Sequence, residues 1–126
     1  MTRLLWICVA GGLGSGARYL VTLWAGRTFG TAFPYGTLAV NVTGCFLIAL
    51  IMTLALTTTL VPPNLRFALT TGFLGGLTTY STFNYETTEF VRERAWRSAA
   101  LNASLTVLCC FVAGLLGLAL ARRIAT

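Results

Sequence analysis

The residues best suited to hold an ion lie in one stretch, Gly72 to Phe83, within a long uncharged run. The pair Gly75-Gly76 gives a helix little reason to continue, and aliphatic hydroxyls then fill every position from 78 to 82 except Tyr80. Tyr80 and Phe83 are three residues apart, a spacing that places two rings on one face of a helix. In lipid, a broken helix is tolerated only where protein or a water-filled cavity satisfies its freed backbone groups. The stretch therefore indicates either a binding site or a packing kink whose hydroxyls bond back to the preceding turn.

The composition is that of a membrane protein with a single domain, residues 1–126. The chain is 56% hydrophobic and 10% charged. Its uncharged runs Phe67–Tyr85 and Ser98–Ala121 reach the ~20 residues that a helix needs to cross a bilayer. Arg18 interrupts the first apolar stretch and further spans follow it, so a cleaved signal peptide is not expected. We expect an all-α integral membrane protein.

The charged residues argue against most catalytic and nucleic-acid-binding functions. All 9 basic residues are arginines, and the chain has no Lys, His or Asp, so most metal sites, catalytic triads and proton relays lack their usual residues. The arginines stand mostly at segment ends and form no basic cluster of the kind that binds nucleic acid. The only acids are Glu86, Glu89 and Glu93. We expect neither an enzyme nor a partner of nucleic acids.

Four helical spans can position these residues. The expected spans are Leu4–Ala25, Gly36–Leu60, Leu65–Val91 and Ala95–Ala121. The second stops before Pro62-Pro63, which cannot continue a helix. In the third, the stretch from Leu65 to Gly75 makes ~15 Å of helix, about half the thickness of the hydrocarbon. We therefore expect the third helix to be broken near the bilayer midplane.

The first span combines small residues with a charge. Gly12 and Gly16 form a small-xxx-small pair that lets helices approach closely. A phosphate-binding loop is excluded because no strand precedes these glycines and the chain has no Lys. Arg18 lies ~15 Å from the Trp6 end of the span. Its side chain either snorkels or makes a structural bond, or else it shapes a path for anions.

The second and fourth spans carry amides. Asn41 lies well inside span 2, where its amide must find a partner. That partner is either another helix, a common form of glue in membranes, or a ligand. In span 4, Asn102, Thr106 and Cys110 form a weakly polar stripe that is more typical of packing than of a pathway. The four cysteines lie in apolar runs without a CxxC pair, and we expect them to be buried as small apolar residues.

The arginines are balanced between the two sides of the membrane. With four spans, both ends of the chain lie on one side. Arg3, Arg66, Arg122 and Arg123 belong to that side, and Arg27, Arg92, Arg94 and Arg97 belong to the other. The orientation of a membrane protein follows the difference in the number of basic residues between the two sides, and this difference is zero here unless Arg18 reaches an interface. The balance predicts insertion in both orientations, and opposed copies can then pair as an antiparallel homodimer.

Three motifs resemble those of the Fluc family of fluoride channels, the CrcB-type proteins. They are Gly11 to Tyr19, which ends in Ala-Arg-Tyr; Gly36 to Asn41, followed by Gly44; and Gly72 to Phe83. With the chain length and the four spans they cover nearly the whole sequence. The third motif is the most specific, because a GGxTT run followed by an aromatic residue and STF at a mid-membrane break is hard to reach by chance.

The resemblance implies a dual-topology dimer with two pores that exports fluoride passively across the bacterial inner membrane, as a multi-pass protein. It also implies a Na⁺ ion at the dimer centre, held by the backbone carbonyls of Gly75 and Thr78. Asn41 would be the pore asparagine, and Tyr80 and Phe83 the two pore aromatics. Ser81, Thr82 and Thr106 would form a hydroxyl-lined track, with Glu86 one turn later and Arg18 contributing to the electrostatics. The family normally has Phe where this chain has Tyr80.

The residue chemistry agrees with such a pore. Fluoride is small and strongly hydrated, so a pore must replace its water with donors such as amide N–H and hydroxyl groups. Aromatic rings also present positive edges to an anion. A fixed cation lowers the cost of holding an anion in a low-dielectric path, and free helix carbonyls are suitable cation ligands. A narrow constriction lined by rings would reject the larger chloride.

Two other functions are compatible with a small four-span protein. A proton-coupled multidrug exporter needs an acid deep in the membrane, whereas the charge inside span 1 is Arg18 and the acids lie late in span 3. That arrangement favours an anion. An assembly subunit without transport activity would need only the small-residue pairs. Flux measurements in liposomes separate passive fluoride efflux, proton-driven drug uptake and no transport.

Overall fold

The computed structural model describes residues 1–126 and is helical throughout, without a β-strand. The elements are α1 (Thr2–Phe29), α2 (Tyr35–Thr57), α3 (Pro63–Phe67), a π-helical segment (Ala68–Leu74), α4 (Gly75–Leu77), α5 (Tyr80–Arg92) and α6 (Trp96–Ala125). Gly30, with φ of 82°, ends α1 in a conformation that favours glycine. Pro63 opens α3 at the first helical position, where its missing N–H costs no hydrogen bond.

Three helices, α1, α2 and α6, are long and apolar enough to cross a membrane. They correspond to predicted spans 1, 2 and 4, and the structure therefore confirms an all-α protein with membrane-spanning helices. The third predicted span is present as a discontinuous piece of chain, Pro63–Arg92, which we call the interrupted segment. None of its helices is individually long enough to cross.

Contacts between helices give the direction of each element. Arg3 lies beside Asn64 and Arg18 beside Thr78, so α1 runs parallel to the first half of the interrupted segment. Asn41 bonds to Thr79 and Thr37 bonds to Glu86, so α2 runs antiparallel to it. Gly114 and Gly117 of α6 face the carbonyls of Cys45 and Phe46, so α2 and α6 run in the same direction. Both ends of the chain therefore lie at one end of the bundle.

The helix breaks later than the glycines predict. Gly75 and Gly76 are helical, and the extended residues are Thr78 and Thr79, with ψ of 155° and 112°. Gly76 is there for packing, because a Cβ at this position would overlap the carbonyl oxygen of Gly11 and lie 2.9 Å from the backbone nitrogen of Ser15. The prediction of a break at the glycines was therefore wrong by about three residues. Before the break, in the π-helical segment, the Gly75 N–H reaches the carbonyl of Thr70, five residues earlier.

The glycines of α1 also act differently from the prediction. A Cβ at Gly12 or at Gly16 would meet no atom of another element within 4 Å, so this pair makes no close approach inside the chain. The close approach is made by Gly14, where a Cβ would overlap the carbonyl oxygen of Phe73. The cysteines are free, and none is buried as the sequence predicted. Cys8 is exposed because α1 turns that side away from the bundle, and Cys45, Cys109 and Cys110 are half-buried.

Candidate functional site

A cavity of about 410 Å³ opens between α2, the break and α6. We call it the central cavity. Its lining includes Asn41, Gly44, Cys45, Thr70, Gly75, Thr78, Thr79, Tyr80, Phe83, Thr106 and Cys110. Most of the site residues expected from the sequence therefore meet here, although they come from three separate parts of the chain. The exceptions are Arg18, Ser81, Thr82 and Glu86.

Asn41 holds the break through two hydrogen bonds to one residue. Its Nδ2 donates to the carbonyl of Thr79 at 3.0 Å, and its Oδ1 accepts from the Thr79 N–H at 2.8 Å. Asn41 is itself buried. The amide therefore makes the interhelical bond that was one of the two alternatives. Because an amide NH₂ carries two hydrogens, one remains beyond this pair of bonds to donate to a ligand.

Arg18 reaches the break from α1. Its Nη1 donates to the carbonyl of Thr78 at 3.4 Å, and the side chain is half-buried. This contact is the structural bond that the sequence allowed. Arg18 does not line the central cavity, and the Thr78 carbonyl is its contact with the break.

Thr79 caps the helix that follows the break. Its Oγ1 accepts from the Thr82 N–H at 3.2 Å, lies 2.9 Å from the Thr82 hydroxyl and lies 3.3 Å from the Ser81 hydroxyl. A Thr side chain at this position satisfies one of the N–H groups that the start of a helix leaves unpaired. Ser81 and Thr82 are exposed and lie outside the central cavity of the single chain. The structure thus joins them to Thr79 rather than to Thr106.

The two rings share a face, as their spacing predicts. The ring centroids of Tyr80 and Phe83 are 5.6 Å apart with an angle of 56° between the planes. Phe83 is buried, whereas Tyr80 is 78% exposed in the single chain. The cavity wall at Phe83 is therefore fixed by packing, while Tyr80 presents its ring and hydroxyl outward.

Glu86 lies in a different cavity. This second cavity, of about 270 Å³, is lined by all three acids together with Thr37 and residues of the α1–α2 connection. The Thr37 hydroxyl donates to Glu86 Oε1 at 2.7 Å, and Glu86 Oε2 is buried without a partner. Glu89 and Glu93 lie within 2.7 and 3.8 Å of Arg92 Nη2. The structure does not bring Glu86 together with Tyr80 and Phe83 in one cavity.

Three residues that lie in the sequence motifs have contacts that sequence reasoning missed. Thr79 is the N-cap, and the signal was available, since a Thr directly before a helix start is a preferred cap. Thr37 is the partner of Glu86, and Gly44 makes room for the break, because a Cβ there would overlap the Thr78 side-chain methyl. These last two contacts depend on residues more than thirty positions away, which no local pattern reveals.

The polar stripe of α6 divides between two roles. Asn102 donates to the Thr87 hydroxyl at 2.9 Å, and that hydroxyl in turn donates to the Phe83 carbonyl at 2.8 Å. Thr106 and Cys110 line the central cavity instead. The first part of the stripe is thus interhelical packing, as expected, and the second part supplies a hydroxyl to the cavity.

The central cavity combines two kinds of polar group with aromatic rings. Amide and hydroxyl donors from Asn41 and Thr106 can bind a small anion, with the ring of Phe83 beside them. The end of α4 offers backbone carbonyls, which can bind a cation.

Comparison with known proteins identifies related sequences along nearly the whole chain. The profile of the family described as "CrcB-like protein, Camphor Resistance (CrcB)" matches residues 5–118. A protein of Anaeromyxobacter sp. (strain K) named "Fluoride-specific ion channel FluC" is 51% identical over 125 residues, which is 99% of each chain. Proteins with the same name from Geobacter metallireducens and Sorangium cellulosum are 48% and 46% identical, each over 98% of this chain and 100% and 98% of their own.

Proposed function

This chain belongs to the CrcB family of fluoride channels, and on that premise we propose that fluoride crosses the membrane passively along the central cavity. The observation that carries the proposal is the convergence of Asn41, Thr106, Tyr80 and Phe83 on one cavity. A channel rather than an enzyme also agrees with a sequence that has no Lys, His or Asp.

The residues of the cavity can replace the water of fluoride. The remaining amide hydrogen of Asn41 and the hydroxyl of Thr106 donate to the ion, and ring edges supply further positive potential. The packed ring of Phe83 narrows the path, which disfavours larger halides. Conduction also requires that no single contact holds the ion too tightly, and a path of several neutral donors meets that requirement.

The functional unit that we propose is an antiparallel homodimer with two pores in the bacterial inner membrane, each copy a single domain of residues 1–126. The equal numbers of arginines on the two sides support insertion in both orientations. The exposure of Tyr80 in the single chain supports an additional wall, because a second copy would cover this ring and close the cavity. Passive conduction through this dimer requires no coupling ion. Besides the second copy of the chain, the lipid bilayer is the partner of the protein.

We propose that the backbone carbonyls of Gly75 and Thr78 hold a structural Na⁺ where two copies meet. The residues fit this role because both line the central cavity and because the helical donors of their carbonyls, the N–H groups of Thr79 and Thr82, bond to side chains instead. The Thr78 carbonyl accepts only the long contact from Arg18, at 3.4 Å, so it retains capacity for another ligand. When bound, the cation would lower the electrostatic cost of holding fluoride in a low-dielectric path.

Flux from liposomes tests the function. Purified protein is reconstituted into vesicles loaded with fluoride, and efflux is followed with a fluoride electrode after an ionophore removes the charge imbalance. We expect rapid fluoride efflux and much slower chloride efflux without a proton gradient. Efflux that requires a proton gradient, or no efflux from a well-folded sample, would contradict passive conduction.

Tag accessibility tests the dimer. A tag at the carboxyl terminus should be labelled from both sides of one membrane, because we expect equal insertion in the two orientations. Labelling from a single side would exclude the antiparallel arrangement and leave the fluoride flux to be explained by another assembly.

A further inference from the structure

The helix break is set by side chains that capture two backbone N–H groups. In a continuous α-helix the N–H of each residue bonds to the carbonyl four residues earlier. The Thr79 N–H would then bond to Gly75, and the Thr82 N–H to Thr78. Instead, the Thr79 N–H donates to Asn41 Oδ1 at 2.8 Å, and the Thr82 N–H donates to Thr79 Oγ1 at 3.2 Å.

Asn41 binds both polar backbone groups of Thr79. Its amide accepts from the N–H and donates to the carbonyl of the same residue, which is extended with φ of −154° and ψ of 112°. Both backbone groups of Thr79 are thereby withdrawn from the helix. The last carbonyls of α4 consequently lack helical partners, and Gly75 and Thr78 are the two whose expected donors are captured by side chains.

The contact surface of α2 supports the same role. Gly44 lies one turn after Asn41, and its missing side chain leaves the space that the Thr78 methyl fills. Both extended residues of the break therefore rest on one face of α2. The contact between Gly44 and Thr78 alone would be enough for a packing kink. The two hydrogen bonds between Asn41 and Thr79 do more, because they also determine at which residue α4 ends.

We propose that Asn41 is the positioning residue of the sodium site: by holding the Thr79 backbone it ends α4 at Leu77 and keeps the Gly75 and Thr78 carbonyls available for the cation. This inference rests on the proposed function. Thr79 assists through its hydroxyl, which occupies the Thr82 N–H. Because Asn41 also lines the central cavity, one side chain borders the anion path and prepares the cation site.

The test measures sodium dependence rather than flux. Thermal stability and dimer retention of the full chain in detergent are followed as Na⁺ replaces a large organic cation at constant ionic strength. For the natural sequence we expect the thermal stability to rise with Na⁺ concentration and to saturate, which defines a midpoint concentration of Na⁺. Asn41→Leu removes both bonds and should raise that midpoint at least tenfold, and Thr79→Val should raise it severalfold.

Two matched controls separate positioning from general loosening. Thr79→Ser keeps the capping hydroxyl, and Asn102→Leu removes another buried amide whose bond is to Thr87, away from the break. Both should stay within twofold of the natural midpoint. If Asn41→Leu fails to fold, Asn41→Gln takes its place, since it keeps the amide but displaces it by one methylene and should also raise the midpoint.

Several results would overturn the inference. An unchanged midpoint in folded Asn41 variants, or an equal shift in Asn102→Leu, would show that Asn41 does not position the site. If the natural protein conducts fluoride but its stability does not depend on sodium, the proposed cation site is contradicted while the proposed function stands. A natural protein that binds sodium with the expected variant pattern but conducts no fluoride would contradict the function alone.

Discussion

The two halves of the interrupted segment are held in the bundle by different forces. The first half, Pro63–Leu77, packs against α1 through backbone surfaces. A Cβ at Gly72 would lie 2.8 Å from the Ala10 side chain and 2.9 Å from the Ile7 carbonyl, and a Cβ at Gly76 would overlap α1 outright. The fit leaves no space for a methyl group at these two glycines. Leu74 and Leu77 of the same half pack with Val40 in the buried hydrophobic cluster, so steric fit holds this half in place.

The second half, Tyr80–Arg92, is held by side-chain hydrogen bonds. Thr37 bonds to Glu86, and Asn102 bonds to Thr87, so adjacent residues of this helix are tied to different neighbours. Its exposed side carries rings and hydroxyls. Bonds of this kind can be removed one at a time, and each removal has a limited cost.

The difference indicates where the protein can tolerate change. Contact between backbones is nearly all-or-none, because neither surface can move aside. Hydrogen bonds between side chains are graded, and in membranes each contributes little. Four of the pore residues expected from the family, Tyr80, Ser81, Thr82 and Phe83, lie in the second half. Substitutions at these four positions should therefore change the chemistry of the cavity without disturbing the packing of the first half.

The largest effect is expected from Gly76→Ala, which adds a methyl group against the Gly11 carbonyl. Overpacking typically costs about 1–3 kcal/mol, and we expect the upper end because the clash is with backbone. The matched control is Gly114→Ala on α6, whose Cβ would lie 3.9 Å from the nearest atom, the Cys45 carbonyl oxygen. Thermal melts in detergent should show a large loss for the first variant and little for the second. Equal melting temperatures would mean that the first half is not sterically specified.

A smaller effect is expected from Thr37→Val, which removes the only hydrogen bond to the Glu86 carboxyl group. Its loss leaves a buried carboxyl oxygen without a partner, which costs about 1–3 kcal/mol and so exceeds the contribution of an ordinary interhelical hydrogen bond. Thr37→Ser keeps the hydroxyl and should stay close to the natural stability. The comparison is made by thermal melts at neutral pH, and identical values for Val and Ser would show that the bond does not contribute.

Tyr80→Phe tests the graded half through function. The phenol hydroxyl can hold fluoride too strongly if it donates, or repel the ion if it presents its lone pairs. In both cases removal should raise fluoride efflux, by roughly fivefold for a bond of ~1 kcal/mol. Phe83→Ile should lower efflux, because it removes a ring edge from the path. Flux is compared at equal protein density, with fluoride binding measured in parallel; a slower Tyr80→Phe channel would show that the hydroxyl assists conduction.

The smallest effect is expected from Thr87→Val, which leaves the Asn102 amide without its partner. Interhelical hydrogen bonds in membranes average about 0.6 kcal/mol, so the melting temperature should fall only slightly. Thr88→Val is the neighbouring control, since its hydroxyl is exposed and bonds only to the Tyr85 carbonyl. A loss as large as that of Gly76→Ala would remove the distinction between the two halves.

Much of the fold followed from local pattern. Hydropathy predicted α1, α2 and α6, and the spacing of Tyr80 and Phe83 predicted their shared face. The position of the break did not follow, because it is set by Asn41, whose partner lies 38 residues away.

The glycines illustrate the same limit. A small-xxx-small pattern at Gly12 and Gly16 shows that close packing is possible on that face, but only the partner helix decides which glycines are used. In this chain Gly14 and Gly76 meet backbone, while Gly12 and Gly16 do not. Likewise, the sequence placed Ser81, Thr82 and Glu86 near Phe83 along the chain, and the bundle then distributed them over different surfaces.

In the π-helical segment the hydrogen bonds span five residues instead of the four of an α-helix, so each turn contains about one residue more. If this turn tightened to α-geometry, everything after it would rotate by about 100° relative to α3. Gly76 would then leave its position against Gly11, and the break would turn away from Asn41. The wide turn thus sets the rotation of the break relative to the start of the segment, and the shape of the central cavity depends on it.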